Sequence, residues 1–398
     1  YAKVNMSQGF NLLYNSVEDA KFTYSSKNKE IATIDETTGK ITSIKKGKTQ
    51  ISVIDTISGQ TTVADVYVLG EDDITFPQIE SNNYSTVTLK ANGEVWSYGY
   101  NGYGQLGTGD TQNKILPTYT NINNIMQIAL GKNHTVAVDK DGHVFTWGYN
   151  SYGQLGNGTN KTQMLPVKMI DKDKNVVKNI KDIAAGYNFN LAVDSNGYVY
   201  SWGYNGYGQL GDNSTVSRSI PTRIEGLEKI KNVYSYGNTS MAINENGEIY
   251  VWGYGYNKVP TKLDFYSKAV DIHGKLILAE DGSVWTLSLN PTKIAGLSNI
   301  VEVASGDNYY AALDTKGRVW VLGYNRYGQL SQANTSDVDT LTFVKVQKET
   351  EYEVLQDIVE LKAGKNSLQM ISSNGDLYVS GYSSYGQLGT GENKSSIT

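Results

Sequence analysis

The stretch "SWGYNGYGQLG" at residues 201–211 places four glycines and two tyrosines within eleven residues. A phosphate-binding loop of this density needs a defined glycine spacing, a basic residue and a following helix whose N-terminus faces the anion. The next residues, "DNSTVSRSIPTRI", are polar turn formers that lead into a short β-branched run. The stretch therefore predicts a connection between two strands and not a phosphate site.

The same connection recurs along the chain. Related strings are "SYGYNGYGQLGTG" at 97–109, "TWGYNSYGQLGNG" at 146–158, "VLGYNRYGQL" at 321–330 and "VSGYSSYGQLGTG" at 379–391. A loop copied at a spacing of roughly 40 to 55 residues is typical of a joint in a solenoid or propeller. We therefore interpret the chain as a repeat array of small β-sheets.

Each repeat predicts a small antiparallel sheet. Between residues 183 and 224, the runs "IAAG", "FNLAVDS", "YVYSW" and "IPTRI" predict successive strands. Asn196-Gly197 lies between the second and third runs and predicts a type I′ turn, which needs positive φ at both central residues. The turn glycine recurs seven times, which predicts seven sheets: Gly93, Gly142, Gly197, Gly247, Gly282, Gly317 and Gly375.

Two alternating positions after each turn glycine carry most of the aromatic residues. Because residues two apart lie on one face of a strand, both positions are predicted to form the core between neighbouring sheets. All six tryptophans of the chain fall in them. The first position holds Trp96, Phe145, Tyr200, Tyr250, Trp285, Trp320 and Tyr378, and the second holds Tyr98, Trp147, Trp202, Trp252, Leu287, Leu322 and Ser380.

Each full repeat combines a small-residue strand ending in glycine, a strand such as "HTVAV", the pattern "WG-x-N-x-x-GQLG" and a following proline. This combination resembles the RCC1 (regulator of chromosome condensation 1) repeat. The resemblance covers residues 75–398 and implies a seven-bladed β-propeller. It weakens at "GYGYNKVP", residues 253–260, and at 287–291, which predicts short fourth and fifth blades. We expect the orphan strand "TFPQI", residues 75–79, to pair with the last repeat and close the ring.

Residues 1–70 predict a separate module. The segment "FTYSSKNKEIATIDETTGKITSIKKGKTQISVID", residues 22–55, resembles the bacterial immunoglobulin-like group 2 (Big2) domain. Because little sequence precedes the motif, a first strand is expected outside this chain, within a larger polypeptide or assembly. The resemblance implies a secreted or cell-surface bacterial protein. The residues predicted to fill a small β-sandwich alternate along the segment: Ile31, Thr33, Ile41, Ile44, Ile51, Val53, Val63, Val66 and Val68.

Composition excludes several classes of function. The net charge is -5, from 40 acidic and 35 basic residues without a Lys/Arg block, so no nucleic-acid partner is expected. The absence of cysteine excludes disulfides and thiolate chemistry. No apolar run approaches the roughly 18 to 20 residues of a membrane span, so no membrane insertion is expected.

The histidines and acidic motifs predict no catalytic, cofactor-binding or metal site. His134 takes a repeat position filled elsewhere by Phe189, Ser240, Tyr309 and Ser367, which indicates a structural role. His143 and His273 have no evident partner in the sequence. The string "DKDKNVVKNIKD", residues 171–182, begins like a calcium loop but carries valine where the loop needs glycine, so calcium binding there stays open.

The leading hypothesis is a non-catalytic recognition module, a propeller on an immunoglobulin-like stalk that binds a protein or glycan, for example of a host cell surface. The insertions 171–179 and 331–353 are expected to carry specificity. One alternative is a secreted enzyme inhibitor, because bacterial RCC1-like propellers include a β-lactamase inhibitor; another is a structural spacer. An exposed tyrosine belt favours binding or inhibition, and a buried one favours the spacer. The candidate binding residues are Tyr100, Tyr103, Tyr149, Tyr152, Tyr204, Tyr207, Tyr324 and Tyr327.

Overall fold

A computed structural model describes residues 3–5, 21–45, 47–57, 59, 61–70, 73–82, 84–348, 351–373 and 376–396. The regular elements within these ranges are all strands. The strands of the N-terminal part are β1 (Lys3–Asn5), β2 (Phe22–Ser26), β3 (Ala32–Ile34), β4 (Ile41–Ser43), β5 (Gly47–Asp55) and β6 (Thr61–Leu69).

The remaining strands form seven successive sheets, as the repeat count predicts. Blade 1 contains β7 (Gln78–Ser81), β8 (Ser85–Leu89), β9 (Val95–Gly99) and β10 (Lys114–Tyr119); blade 2 contains β11 (Ile125–Leu130), β12 (His134–Asp139), β13 (Val144–Gly148) and β14 (Gln163–Lys168); blade 3 contains β15 (Ile180–Ala185), β16 (Phe189–Asp194), β17 (Val199–Gly203) and β18 (Arg218–Arg223).

Blade 4 contains β19 (Ile230–Tyr236), β20 (Thr239–Asn244), β21 (Ile249–Gly253) and β22 (Thr261–Lys262); blade 5 contains β23 (Ala269–His273), β24 (Leu276–Ala279) and β25 (Val284–Thr286); blade 6 contains β26 (Ile300–Ser305), β27 (Tyr309–Asp314), β28 (Val319–Gly323) and β29 (Val338–Phe343). A hairpin of β30 (Lys345–Lys348) and β31 (Glu351–Val354) precedes blade 7, which contains β32 (Ile358–Ala363), β33 (Ser367–Ser372) and β34 (Leu377–Gly381).

The seven sheets close into a ring. The first strand of each blade contacts the first strands of both neighbours, and β32 of blade 7 contacts β7 of blade 1. This arrangement is a seven-bladed β-propeller, which confirms the fold that the repeats predict. Blade 4 ends in a fourth strand of two residues, and blade 5 has three strands, so the shortening expected in these two repeats is also confirmed.

The predicted ring closure is wrong. The segment after Pro77 forms β7, which pairs with β8 as the innermost strand of blade 1 and not with the last repeat. Every repeat begins with the inner strand of its blade. The segment after Pro77 fills that place in blade 1, so it does not complete blade 7. Blades 7 and 1 meet side by side instead, where Thr86 Oγ1 donates to Gln387 O at 2.8 Å and Lys362 Nζ lies 4.0 Å from Glu80 Oε1.

The hairpin turns differ from the predicted type I′. In blade 2, Gly142 N donates to Asp139 O at 3.0 Å, and Asp139 N donates to His143 O at 3.0 Å. Of these turn residues only Gly142 has positive φ, at 75°. This geometry is a type I turn followed by a glycine bulge. The Asp139 carboxylate favours it by accepting the Asp141 and His143 N–H groups, each at 2.9 Å. Gly375 lies outside the described residues.

The aromatic positions divide between the core and its edge. At the second position, Tyr98, Trp147, Trp202 and Trp252 are buried between blades, which confirms the prediction for them. The first position is half-buried throughout and packs at the edge of the core, as Phe145 and Tyr200 do, so the core prediction is confirmed there only in part. These rings also lie beside the outer strand, as Trp96 does next to Tyr119, with a centroid distance of 5.5 Å.

The N-terminal strands form a sheet in the order β1-β6-β5-β2 and a β3-β4 pair. Ile31, Ile51, Val53, Val66 and Val68 are buried as predicted. Ile44 is 58% exposed, so its predicted place in the core is wrong, because it follows β4. The side chain of Val63 lies outside the described residues. The first strand of this module was expected outside the chain. The chain itself supplies a strand before β2, because β1 pairs with β6.

Candidate binding face

Two sets of loops lie at the same end of every blade. In blade 2, His134 at the start of the second strand pairs with Gly148 at the end of the third, and Tyr149 N donates to Asn133 O at 2.8 Å. The loop after the first strand and the glycine-rich loop after the third therefore share one face of the propeller. We call it the tyrosine face, and we call the opposite face, which carries the hairpin turns, the turn face.

The glycine-rich loops are held by their own side chains. In blade 3, Asn205 Oδ1 accepts the Leu210 N–H at 2.9 Å, and Gln209 Oε1 accepts the Tyr207 N–H at 2.9 Å. The Leu210 side chain is fully buried. The asparagine and glutamine of the repeat therefore hold the loop backbone, and the leucine anchors it to the core. The loop is a fixed platform that holds its tyrosines in place.

The tyrosines of neighbouring loops contact one another across blade boundaries. The ring centroids of Tyr152 and Tyr204 lie 4.8 Å apart, a distance typical of aromatic pairs. Similar contacts join blades 6 to 7, 7 to 1, 1 to 2 and 3 to 4: Tyr327–Tyr382 at 5.0 Å, Tyr100–Tyr385 at 5.4 Å, Tyr103–Tyr149 at 5.0 Å and Tyr207–Tyr254 at 5.0 Å.

We define the tyrosine belt as these residues together with Tyr324, which contacts Tyr327. All eight tyrosines singled out by the sequence belong to it. Sequence analysis missed Tyr254, Tyr382 and Tyr385, although the last two occupy the same positions of the "GYSSYGQLG" string. The belt passes over blades 6, 7, 1, 2, 3 and 4 and is interrupted at blade 5, where the glycine-rich loop is missing.

The belt is accessible to solvent. The second tyrosine of each pair projects furthest: Tyr103, Tyr152, Tyr207 and Tyr327 are 40%, 39%, 44% and 37% exposed, and Tyr254 is 60% exposed. The first tyrosine of each pair is half-buried beneath it. Rigid, partly exposed aromatic rings with polar hydroxyls are favoured as anchors at binding surfaces. By the criterion stated from the sequence, the exposed belt favours binding or inhibition over a spacer.

The two insertions differ in position. Asn179 N contacts Asp141 O at 3.4 Å, so the insertion 171–179 lies at a hairpin turn and belongs to the turn face. The insertion 331–353 begins on the tyrosine face, because Asp337 Oδ1 accepts Asn325 N at 2.9 Å beside Tyr324. Its later part forms the β30–β31 hairpin, after which Ile358 N donates to Gly317 O at 3.1 Å on the turn face. The expected role of both insertions in specificity stays a prediction.

The N-terminal module also contacts the turn face. Asn28 Nδ2 donates to Ser373 Oγ at 3.1 Å, and Lys27 lies against Gly317; Ser373 and Gly317 are in the turns of blades 7 and 6. The tyrosine face is on the other side of the propeller. The described strands of the module therefore lie on the side of the propeller away from the belt.

The calcium-like string does not form a loop with all its predicted ligands. Asp182 lies in β15, where its carboxylate accepts Gln127 Nε2 at 2.6 Å and Val233 N at 2.9 Å. Burial raises the pKa of Asp182, against the effect of these hydrogen bonds. At the other end of the string, Asp171 Oδ1 accepts the Asp173 and Asn175 N–H groups. Asp182 therefore joins three blades and is unavailable to a cation at Asp171.

One group of potential metal ligands lies in the blade 2 turn. The ligand atoms of Asp139, Asp141 and His143 are within 4.8 Å of one another. His143 Nδ1 lies 2.9 Å from Asp139 Oδ2, and the other Asp139 oxygen accepts backbone N–H groups. Because these contacts are those of the turn itself, a structural role accounts for the side chains of Asp139 and His143.

His134 is a structural residue. It is buried, and its Nε2 lies 2.7 Å from Asn190 Oδ1 in the next blade. Burial lowers the pKa of His134 to about 4, although the Asn190 contact opposes this shift. The pairing register assigns the equivalent position of blade 4 to Thr239 and not to Ser240 as the sequence suggested.

We expect His134 to make stability fall in acid. Because its pKa in the folded chain is about 4 against 6.5 for an ordinary histidine, its contribution is complete above pH 6.5 and is lost as the pH falls toward 4. Linkage puts this loss at about 2 kcal/mol by pH 5. His134→Phe introduces the residue found at the equivalent position of blade 3, Phe189. It should abolish the His134 component of the pH dependence.

Urea unfolding of both proteins at about pH 7 and pH 5 measures the difference. The control is His143→Tyr, which introduces the residue found at the equivalent turn position of blade 3. Because His134 is intact in this variant, the His134 component of the pH dependence should remain. An unchanged dependence in His134→Phe would contradict a buried neutral histidine.

The axis of the ring carries charged residues that sequence analysis missed. Around Lys362 lie Glu80, Glu302, Glu360 and Asp271, each from the first strand of a blade. Burial alone would lower the pKa of Lys362, but these carboxylates raise it above its ordinary value. A polar residue recurs within the otherwise apolar first strands, and this was the signal available in the sequence.

The comparisons with known proteins agree with this architecture. The family model of the RCC1-like domain matches residues 37–262, and that of the RCC1 repeat matches residues 300–329. The model of the bacterial Ig-like domain (group 2) matches residues 5–66. The chain belongs to the RCC1-like domain family, whose propellers are binding and regulatory modules. The domain boundary near residues 70–75 stays a prediction, because the two matches overlap.

Curated relatives are similar over the propeller. The ultraviolet-B receptor UVR8 of Arabidopsis thaliana is 28% identical over 313 residues, which cover 77% of this chain and 65% of UVR8. The probable E3 ubiquitin-protein ligase HERC4 of Homo sapiens is 27% identical over 223 residues, 54% of this chain and 19% of HERC4. The chain thus spans less than two thirds of each of these relatives.

A solved structure supports the fold. Prp20p from Saccharomyces cerevisiae, described together with its binding to Gsp1p and histones, superposes with a TM-score of 0.62 over 92% of both chains at 18% identity. At this identity the similarity shows the fold alone. In the described part of our chain, no helix is long and apolar enough to span a membrane.

Proposed function

We propose that this chain is a non-catalytic recognition module that binds a protein or glycan through its tyrosine face. The observation that carries the proposal is the tyrosine belt, which is contiguous over several blades, partly exposed and turned away from the N-terminal module. Aromatic anchors on a rigid frame lose little conformational entropy on binding. An array of repeated loops presents them over a broad surface, which suits a macromolecular partner.

The proposal includes a location. The match of residues 5–66 to a bacterial immunoglobulin-like domain supports a secreted or cell-surface bacterial protein, in which the module is a stalk for the propeller. Contacts of this module with the turn face would direct the belt outward. Fractionation of the source cells, with an antibody against the propeller, tests this location. Recovery from the cytosol alone would contradict it.

A capture experiment tests the binding function. The intact chain is immobilised and screened against displayed polypeptide libraries and a glycan array. We expect specific capture that Tyr152→Ala/Tyr207→Ala weakens by about 100-fold, because both rings are central in the belt. Phenylalanine at the same two positions should retain most of the affinity, and circular dichroism confirms that both variants fold.

The matched control is Tyr266→Ala/Tyr352→Ala. These two tyrosines are 86% and 45% exposed but lie outside the belt. Their replacement should leave capture unchanged. Equal loss in both double variants, or no capture by the intact chain, would contradict recognition by the belt and favour the structural spacer.

Inhibition of an enzyme is the second candidate, because the exposed belt supports either role. The same variants separate the two functions when assayed with a serine β-lactamase. Dose-dependent inhibition that the belt variant loses would make inhibition the function of the face. Tight capture of another partner without inhibition would exclude it for that enzyme.

A further inference from the structure

The loops around the channel mouth on the tyrosine face carry more positive than negative charge. Among the described residues of the loops between first and second strands, the charged ones are Lys132, Lys275, Lys365 and Asp307. Asp307 is already paired, because its Oδ2 lies 3.0 Å from Lys365 Nζ. Lys132 and Lys275 are exposed, and neither forms an ion pair with another described residue. These loops therefore carry a net positive charge although the chain has a net charge of -5, and they lie next to the axial cluster in which four carboxylates surround Lys362.

Cations also lie beside aromatic rings on this face. The Arg326 guanidinium, in the blade 6 glycine-rich loop, is 5.5 Å from the Tyr324 ring centroid, and Lys275 Nζ is 5.5 Å from that of Tyr236. Arg326 is exposed between the two belt tyrosines of its blade. Stacking fixes these cations near the surface on which a partner would rest.

The hairpin turns of the turn face have the opposite charge balance. The described residues of the loops between second and third strands include seven carboxylates and four cations, namely Glu94, Asp141, Glu245, Glu248, Glu280, Asp281 and Asp376 against Lys90, Lys140, Lys316 and Arg318. An acidic partner is therefore disfavoured at these hairpin turns and favoured at the loops between first and second strands. Such asymmetry orients approach and selects against partners of the wrong charge.

We infer that the tyrosine face binds an acidic polypeptide segment, an inference that rests on the proposed function and specifies its partner. Carboxylates of the segment pair with Lys132, Lys275 and Arg326, while its apolar atoms pack on the belt. Lys132 and Lys275 belong to blades 2 and 5, which are three blades apart in the ring. An extended polypeptide can reach both across the mouth, whereas one sugar residue cannot.

Charge reversal on the two faces tests the inference. The face variant is Lys132→Glu/Lys275→Glu/Arg326→Glu, and the control is Lys140→Glu/Lys178→Glu/Lys316→Glu, whose exposed residues lie on the turn face. Both change the net charge equally. The probe is fluorescein-labelled polyglutamate, and its binding is followed by anisotropy at low ionic strength and again near 0.15 M salt, where screening is stronger.

We expect polyglutamate to bind the wild-type chain, at least about tenfold more weakly in the face variant and within about twofold of wild type in the control. Equal weakening of both variants would overturn the inference, because only net charge would matter. Preference for a sulfated oligosaccharide would overturn it in favour of an anionic glycan. Absence of polyglutamate binding, with belt-dependent capture retained, would overturn the acidic partner while leaving the proposed function intact.

Discussion

Replacing Trp202 with alanine is expected to lower the free energy of unfolding by about 4 kcal/mol. The side chain is fully buried between blades 2 and 3, among Val136, Val144 and Met169. Its Nε1 donates to Gln154 O at 2.9 Å, a carbonyl of the preceding blade's glycine-rich loop. The substitution therefore opens a large cavity and removes a buried hydrogen bond at the same time.

The matched control is Trp96→Ala. This tryptophan occupies the first aromatic position and is half-buried beside the outer strand. We expect it to cost about 1 kcal/mol, since less apolar area leaves the interior. Urea unfolding followed by far-UV circular dichroism measures both changes without depending on tryptophan emission. Similar losses in the two variants would contradict the division between core and edge positions.

Replacing Gly203 with alanine is expected to cost about 3 kcal/mol or more, because backbone strain and a steric clash act together. Gly203 ends the third strand of blade 3 with φ at 100°. An added Cβ would lie 2.6 Å from Asn188 O and 2.8 Å from the Phe189 Cα. These are backbone atoms of the neighbouring strand, which cannot move aside without breaking the sheet.

Gly226→Ala separates the two contributions. Gly226 also has positive φ, at 80°, but an added Cβ would meet nothing within 4 Å. We expect a loss of about 1 kcal/mol from the φ preference alone. Urea midpoints of the two variants give the comparison. If Gly203→Ala is no worse than Gly226→Ala, close backbone approach is not the reason for glycine at the end of this strand.

The fold was predictable because one physical signal was repeated. The residues of the loop have distinct local roles. The glycine of each "WG" or "YG" pair adopts positive φ, the asparagine and glutamine accept backbone N–H groups, and the leucine is buried. Even the short blades followed from the sequence, because the strings near 253–260 and 287–291 lack these residues. Five copies of the loop and seven of the turn glycine made a strong signal out of a string that would be ambiguous alone.

Three errors show what local patterns do not determine. Ring closure was wrong because "TFPQI" resembles an outer strand through its proline, whereas its place follows from the need of blade 1 for an inner strand. The turn type was wrong because the Asp139 carboxylate stabilises a type I turn that dipeptide preference does not anticipate. The first aromatic position was half-exposed because alternation selects a face of a strand and does not fix depth.

The candidate site was predictable only in part. The repeated string identified eight tyrosines of the belt, but sequence could not show that neighbouring loops bring Tyr152 and Tyr204 to 4.8 Å. It also could not place the insertion 171–179 on the opposite face, since the direction of each strand decides this. The charged residues at the axis come from separate blades and meet only when the ring closes.

Amide hydrogen exchange of the intact chain, alone and with its captured partner, tests the central claim most directly. Recognition by the tyrosine face predicts slower exchange in the glycine-rich loops 100–104, 149–153 and 204–208, and unchanged exchange in the hairpin turns. Protection confined to the turns, to the insertion at 171–179 or to the N-terminal module would contradict it. The partner would then bind the turn face, and the tyrosine belt would be part of the scaffold.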